Sequence, residues 1–417
     1  LTNPESKSPP EVELAIDIES IRRQFPILAE GDIIYFDNAA TSLMPRQVAE
    51  AMMESDLYYR ANVGRGLSRH TRKATGVFEE GREKVADFLG AEPREIVFVR
   101  NTTEAINIIA CGLPWKKGDR VVTTLAEHHS NFLPWQVTAK RNGLKLEYVI
   151  PNLNDLSDLE PYDKALESKP RLLSMLYVSN VLGVRLPVAE VVRMAKERGT
   201  LTMVDAAQAA PHFPINVKEL GVDYLAISAH KMYGPTGIGA LYISKDAPQP
   251  QPLLVGGGMV TDVMLDEFRV AETPTGFEAG TQPISAVAGF ARAIDFIGEV
   301  GFDNIEKRCK HLTGEFDHKI RLYDRLRVFG AEGTDNRLGI FAFHISGLGV
   351  HRTASLYDQF GNIVLRSGHH CAIPLHREVL GVERGTVRAS MAFYNTVEEI
   401  DRFMEVTERI LELVGDA

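Results

Sequence analysis

Between Glu95 and Ile243 short apolar, β-branched runs recur, and longer segments with helical spacing of apolar residues lie between them. The runs are Glu95–Val99, Arg120–Thr124, Lys145–Ile150, Leu172–Val178, Leu201–Asp205, Tyr224–Ser228 and Gly239–Ile243. A strand–helix rhythm of this kind is satisfied by a mostly parallel sheet with helices on both faces. It predicts an α/β fold whose large domain, residues 31–285, holds a mostly parallel seven-stranded sheet. Past the Gly276–Thr281 loop the texture changes. Ile284–Gly301 is helical in spacing; Leu338–Ile345, Ile363–Arg366 and Thr386–Ala392 read as antiparallel strands, and Val397–Val414 as a last helix. These predict a smaller C-terminal α+β domain, residues 286–417. Ahead of the sheet, Val12, Leu14, Ile16, Ile18, Ile21 and Phe25 suggest a short helix ending before Pro26. Residues 1–30 therefore read as an N-terminal arm packing with the small domain.

A length of 417 residues exceeds what one core usually serves, which agrees with two domains. The net charge of −10 and the lack of a Lys/Arg stripe argue against nucleic acid as a partner. Cys111, Cys309 and Cys371 are too few and too scattered for a disulfide framework, which suits a reducing, cytoplasmic setting. No apolar stretch reaches the length of a membrane span, so no membrane is expected.

In a parallel sheet, ligands bind outside the carboxyl ends of the strands, and here those positions are polar. The run Ala226-Ile-Ser-Ala-His-Lys-Met-Tyr-Gly-Pro-Thr-Gly-Ile-Gly239 carries Ser228, His230 and Lys231 off the end of a strand. A crevice lysine with a lowered pKa is the amine that forms an imine with an aldehyde cofactor; an isolated lysine on a glycine-rich turn would be an ordinary surface group. Asp205, ending another strand, can pair with a protonated pyridine nitrogen, and it can equally cap a helix. Asn101-Thr-Thr-Glu104 has the spacing of a capping box, and the amides of that helix start, with Thr102 and Thr103, suit a phosphate. In Glu127-His-His-Ser-Asn131, an imidazole could stack on a ring or move a proton. His128-His129 and His369-His370-Cys371 also raise a metal, but neither has the spacing of a zinc site. Cys371 lies in a loop with Arg366 and two histidines, surroundings that favour a thiolate. Cys111 and Cys309, in helical apolar patterns, read as buried and inert.

These motifs, with Asp17-Ile-Glu-Ser-Ile-Arg-Arg-Gln-Phe-Pro26, Tyr35-Phe-Asp-Asn-Ala-Ala40 and Arg366-Ser-Gly-His-His-Cys-Ala372, resemble the class V, fold-type I pyridoxal-phosphate (PLP) enzymes, and among them the SufS-type (group II) cysteine desulfurases. The likeness covers nearly the whole chain, and the cysteine loop is its most specific part. It implies PLP as cofactor, with Lys231 as its Schiff-base lysine, Asp205 as the pyridinium partner, Gln208 as a donor to the phenolic oxygen and His128 stacked on the ring. It further implies Thr103, Ser228 and His230 at the phosphate. Thr281 is implied to reach the phosphate of a neighbouring subunit, and so a homodimer. Arg388 is implied to hold the substrate carboxylate, assisted by Asn180, with Arg366 among the substrate-binding residues. The implied reaction takes sulfur from L-cysteine onto Cys371 as a persulfide and releases L-alanine. A sulfur-acceptor protein of the SufE or SufU kind would receive the persulfide for iron–sulfur cluster assembly.

The segment Asn62-Val-Gly-Arg-Gly-Leu-Ser-Arg-His-Thr71 departs from that family, which often has histidines where this chain has Gly64 and Ser68. Rival readings are a selenocysteine lyase, a class V aminotransferase or epimerase, and a catalytically silent sulfur-trafficking scaffold. Cys371 argues against transamination, which has no use for a thiol, and the intact set of Lys231, Asp205, His128 and Cys371 argues against the scaffold.

Overall fold

Runs of Val, Ile, Leu and Thr covered on both faces must find partners for their backbone amides, and here they find one another. The computed structural model describes residues 16–64, 66–153, 155 and 158–415. Its seven-stranded sheet consists of β1 (Ile96–Val99), β2 (Arg120–Thr124), β3 (Lys145–Val149), β4 (Leu172–Leu176), β5 (Leu201–Asp205), β6 (Tyr224–Ser228) and β7 (Gly239–Ile243). The spatial order is β1-β7-β6-β5-β4-β2-β3. All neighbours are parallel except β7, which runs antiparallel to both β6 and β1. Two reversals cancel, so β1, β2, β4, β5 and β6 run the same way and their carboxyl ends open on one edge of the sheet. Ile106, Ile109, Val121, Trp135, Leu172, Met203, Tyr224 and Leu241 share one of the buried clusters beside it.

The start of β7 is where this edge is tightest. A Cβ at Gly239 would lie 2.4 Å from the carbonyl oxygen of Ile227 and 3.2 Å from the Cα of Asn101. Glycine there lets β7 enter between the loop after β1 and the end of β6.

The chain divides into two units. One comprises Thr41–Ser179 and Leu186–Glu299 and contains the seven-stranded sheet. The other gathers the described residues up to Ala40, Asn180–Arg185 and the described residues from Val300 onward. Its four-stranded antiparallel sheet has the order β8 (Leu326–Phe329), β9 (Ile340–Ile345), β11 (Thr386–Ser390), β10 (Arg366–Gly368). Two details correct the expectation. Leu326–Phe329 adds a strand not anticipated, and Ile363–Val364 leaves the antiparallel set to pair in parallel with Ile34–Tyr35. The amides of Ile34 and Phe36 donate to the carbonyls of Asn362 and Val364, so the N-terminal stretch supplies the partner.

Val12 and Leu14 of the expected arm lie outside the described residues. Within them, Asp17 caps the helix Ile18–Arg22. Pro26 begins a further turn, Pro26–Ala29, as its N1 residue, where a missing amide proton costs nothing. Arg22 donates to the Tyr394 carbonyl (2.7 Å) and to Glu399 (2.8 Å) on the last helix, Val397–Gly415. No helix among the described residues is long and apolar enough to cross a membrane.

The core of this second unit is aromatic. Phe403 stacks on Tyr357 (4.4 Å between centroids) and meets Phe316 (5.0 Å), Phe343 (5.9 Å) and Phe36 (6.1 Å). Phe403→Ala would leave a cavity that these rings cannot close, so a loss of about 3–5 kcal/mol is expected, read as a lowered urea midpoint.

Candidate active site

Lys231 ends a short 3₁₀ turn, Ala229–Lys231, that begins where β6 stops. The turn is braced from several sides. Ala229 donates to the Ile238 carbonyl (3.1 Å) and accepts from the Gly234 amide (2.9 Å). The His230 carbonyl receives the Ser42 amide (3.0 Å), the Ser42 hydroxyl (3.1 Å) and the Thr41 hydroxyl (3.0 Å). The Ser42 hydroxyl in turn accepts from the Tyr233 amide (2.7 Å), where the backbone is left-handed with φ +63°. Lys231 is thus on a fixed, half-buried turn rather than a free glycine-rich loop. Burial, with the Lys231 charge adding to it, pushes the His230 imidazole down to about 4, so the ring is neutral.

Asp205 closes β5, in register with Leu176 of β4 and Ala226 of β6, and is 7% exposed. Burial raises its pKa, while the Lys231 charge and a hydrogen bond from the Ala207 amide (3.0 Å) pull it back down. The amide contact closes a local turn, not a helix: residues 207–212 form turns, and the next helix begins only at Val217, so the expected helix-capping role is not seen. Gln208, in the same turn, is also buried.

The helix Thr102–Gly112 starts at the end of β1, capped by Asn101, whose Oδ1 accepts from the Glu104 amide (3.1 Å). Only this half of the expected capping box forms: the Glu104 carboxylate takes the Arg100 amide (2.6 Å) rather than that of Asn101. The Thr102 amide and hydroxyl both meet the Ser228 hydroxyl at 2.9 Å, and the Thr103 hydroxyl meets that of Ser130 at 2.7 Å. The ends of β1 and β6 and the loop after β2 therefore converge as hydroxyls and a helix N-terminus, the donor set that suits a phosphate.

His128 follows β2, and its Nδ1 accepts from the Ser130 amide (3.1 Å), which puts the proton of the neutral ring on Nε2. Behind it is a residue whose part the sequence reading missed. Glu127, fully buried, accepts from the Thr124 hydroxyl (2.6 Å), the Leu176 amide (3.0 Å) and the Asn131 side chain (2.6 Å). It ties the His128 loop to β2 and β4. Burial is the main cause that pushes the Glu127 carboxyl up to about 8; its three donors pull it down, and the nearby Asp205 charge raises it. Its signal in the sequence was an acid with Thr three residues before and Asn four after, at the end of an apolar strand.

In the other unit, Arg388 lies on β11, 2% exposed. It donates to the Asn180 carbonyl (2.9 Å) and to Asp37 (2.7 Å), while its Nε has no partner. Arg366 faces Arg388 across the β10–β11 pair, and its guanidinium lies 3.6 Å from the other Asp37 oxygen. One carboxylate thus relieves two adjacent cations, a role for Asp37 that the motif alone did not disclose. Asn180 donates to the His370 carbonyl (2.8 Å), and its Oδ1 is another buried atom without a partner. Cys371 follows directly, exposed, and interacts electrostatically with Arg388. Arg388, Asn180, Arg366 and Cys371 are therefore brought together.

One expectation is revised. Cys111 is exposed, not buried: the helix buries Ile106, Ile109 and Ala110 and turns Thr103, Asn107 and Cys111, spaced by four, outward. Cys309 is buried, and its thiol is pushed up to about 12. Thr281 is exposed and lines a groove of about 900 Å³ with Arg82, Gly257 and Glu278, whose lining includes none of Lys231, Asp205 or His128.

The raised Glu127 pKa sets a pH test. A carboxyl protonated more readily folded than unfolded adds stability that is full below about 4.5 and is lost as pH rises through about 8. Glu127→Gln does not titrate, so the wild-type advantage in urea midpoint over this variant is expected to shrink steadily from pH 5 to 8.5.

The aminotransferase class-V family matches the chain over residues 34–403. A probable cysteine desulfurase of Pyrococcus abyssi is 43% identical over 400 residues, 94% of this chain and 98% of that protein. A cysteine desulfurase of Haloferax volcanii is 35% identical, over 95% and 98% of the two chains. Among solved structures, the apo cysteine desulfurase of Thermococcus onnurineus NA1 superposes with a TM-score of 0.90 at 41% identity, covering 96% of this chain and 99% of that one. The cysteine desulfurase CsdA of Escherichia coli gives 0.87 at 34%, over 96% and 99%. The chain belongs to the aminotransferase class-V family, and to the cysteine desulfurases within it.

Proposed function

We propose that the protein is a PLP-dependent cysteine desulfurase that moves sulfur from L-cysteine onto Cys371 and releases L-alanine. One observation carries the reading: the same chain sets Lys231, Asp205, His128 and a hydroxyl-lined helix start on one sheet edge, and exposes Cys371 beside Arg388. A transaminase needs the first set only.

The residues fit the cofactor. The Thr102 amide, with the hydroxyls of Ser228 and Thr103 and the neutral His230, would hold its phosphate, and Thr281 would reach that of a second subunit in a homodimer. Asp205, buried and destabilised as an anion, would accept the pyridine N–H; Gln208 would donate to the phenolic oxygen, His128 would stack on the ring and Lys231 would hold the aldehyde carbon. When bound, PLP withdraws electrons from the substrate Cα and so makes its proton removable.

The protein's own groups do the rest. Arg388 keeps donors beyond those given to Asp37 and Asn180, and these would take the substrate carboxylate, with Asn180 and Arg366 beside them. Lys231, as a free amine, would remove the Cα proton. The Cys371 thiolate would attack the substrate sulfur: a S–S bond forms, the Cβ–S bond breaks, and its electron pair stays with carbon, which is then protonated to give alanine. The persulfide passes to a sulfur acceptor; an exposed loop suits transfer to a partner protein and onward to iron–sulfur cluster assembly.

Incubating the protein with cysteine and a reductant, and following alanine and sulfide together, tests this. Equal yields of both are expected from the wild type. Cys371→Ala should keep the bound chromophore of the cofactor but lose persulfide and at least about 90% of alanine release. Lys231→Ala should lose the normal chromophore and the activity. Full alanine release by Cys371→Ala would refute the thiol's role, and selenocysteine would be the next substrate to try.

A further inference from the structure

His370 and Cys371 have φ of +49° and +57°, two consecutive side-chain-bearing residues in the left-handed region. That conformation is unfavourable for both, and it persists only where surroundings over-determine it. The Asn180 side chain holds the His370 carbonyl (2.8 Å), and the Ala372 amide closes on the His369 carbonyl (2.8 Å). A further device sits beneath the turn. The His376 Nδ1 lies 2.9 Å from the Ala372 carbonyl, and its Nε2 lies 3.2 Å from the Thr386 hydroxyl. The His370 Nε2 lies 3.1 Å from that same hydroxyl and 3.1 Å from the Thr386 carbonyl.

The direction of every proton in this set follows from its end point. A carbonyl only accepts, so His376 carries its proton on Nδ1 and its Nε2 is an acceptor. Thr386 must then donate to His376, and its hydroxyl is left to accept from the His370 Nε2–H. His376 has to be neutral for this, and burial pushes it down to about 4; His370 donates through Nε2 in either state, and burial holds it well below its usual value. The two residues flanking Cys371 are thus tied to one hydroxyl on β11. Thr386 is fully buried and lies two residues before Arg388, on the same face of the strand.

We propose that Thr386 and His376 are positioning residues that hold the Cys371 turn in its left-handed conformation and fix the thiol relative to Arg388, an inference that rests on Cys371 being the sulfur acceptor. His376 sits in a π-helical turn, Leu375–Val379, so the ring that completes the relay comes from an irregular turn of the kind that often marks functional sites.

The test uses the full-length holoenzyme. Thr386→Val keeps the volume and removes the hydroxyl. Hydrogen–deuterium exchange of peptides spanning residues 366–376 should accelerate by about tenfold or more, while peptides from β4 to β6 stay unchanged. kcat for alanine release should fall roughly tenfold, with KM within about threefold because Arg388 is untouched. Thr386→Ser, which restores the hydroxyl, should return both readouts to wild type. Should Thr386→Val fail to fold, His376→Leu breaks the same relay and should give the same local acceleration. Wild-type exchange in the variant that folds, or a serine variant no better than valine, would overturn the proposal. Full alanine release by Cys371→Ala would instead defeat the sulfur-acceptor reading, and the exchange data would still decide whether the relay holds the turn.

Discussion

A carboxylate at the end of a central strand has little water to stabilise it, and Asp205 is such a group. Burial raises its pKa, and the cation acting against that is Lys231. A buried carboxylate depends on whatever opposes its desolvation, so the turn after β6, which holds Lys231, bears directly on the state of Asp205 at the end of β5. The hydrogen bonds that Thr41 and Ser42 make to the His230 carbonyl serve that end. Glu127 acts at the same edge, since the Leu176 amide it binds belongs to the residue in register with Asp205.

The second unit solves a related problem with opposite charges. Arg366 and Arg388 are cross-strand neighbours, an arrangement that repels unless an anion intervenes. Asp37 intervenes, and being one carboxylate against two cations it leaves an excess of positive charge and unused donors. That surplus is what supports the proposed role of Arg388 in holding a substrate carboxylate. A neutral pair of side chains would pack as well and bind no anion.

The sheet was legible because a strand buried on both faces announces itself locally, as a short, mostly apolar run such as Leu172–Leu176 or Tyr224–Ser228, recognised without knowledge of its partners. The residues at strand ends were legible for the same reason: Asp205, His128 and Ser228 each follow such a run. What the sequence concealed are relations across long separations. Nothing near Asp37 reveals that it will lie between Arg366 and Arg388, and nothing near His376 tells that a threonine ten residues on will bridge it to His370. Ile363–Val364 misled because a two-residue strand carries no information about which neighbour, antiparallel or parallel, will reach it. Cys111 misled because its helix is apolar on most sides, and only Thr103 and Asn107, four residues apart, mark the outward stripe on which it falls.

The two halves of the chemistry are secured by different physical means. The sheet edge with Lys231, Asp205 and His128 follows from strand direction, since β1, β2, β4, β5 and β6 run together, and side-chain contacts from Thr41, Ser42, Glu127 and Ser228 secure the turns beyond the strand ends. The thiol is placed by a turn that its own backbone preference opposes, so it depends on side-chain hydrogen bonds from Asn180, Thr386 and His376. Each of those can be deleted singly. The role proposed for Cys371, accepting sulfur and then surrendering it, calls for an exposed position, and exposure forgoes the packing that makes the sheet rigid. A strained turn held by a few polar contacts combines exposure with a defined conformation, at the expense of tolerance to change in residues that never touch the sulfur.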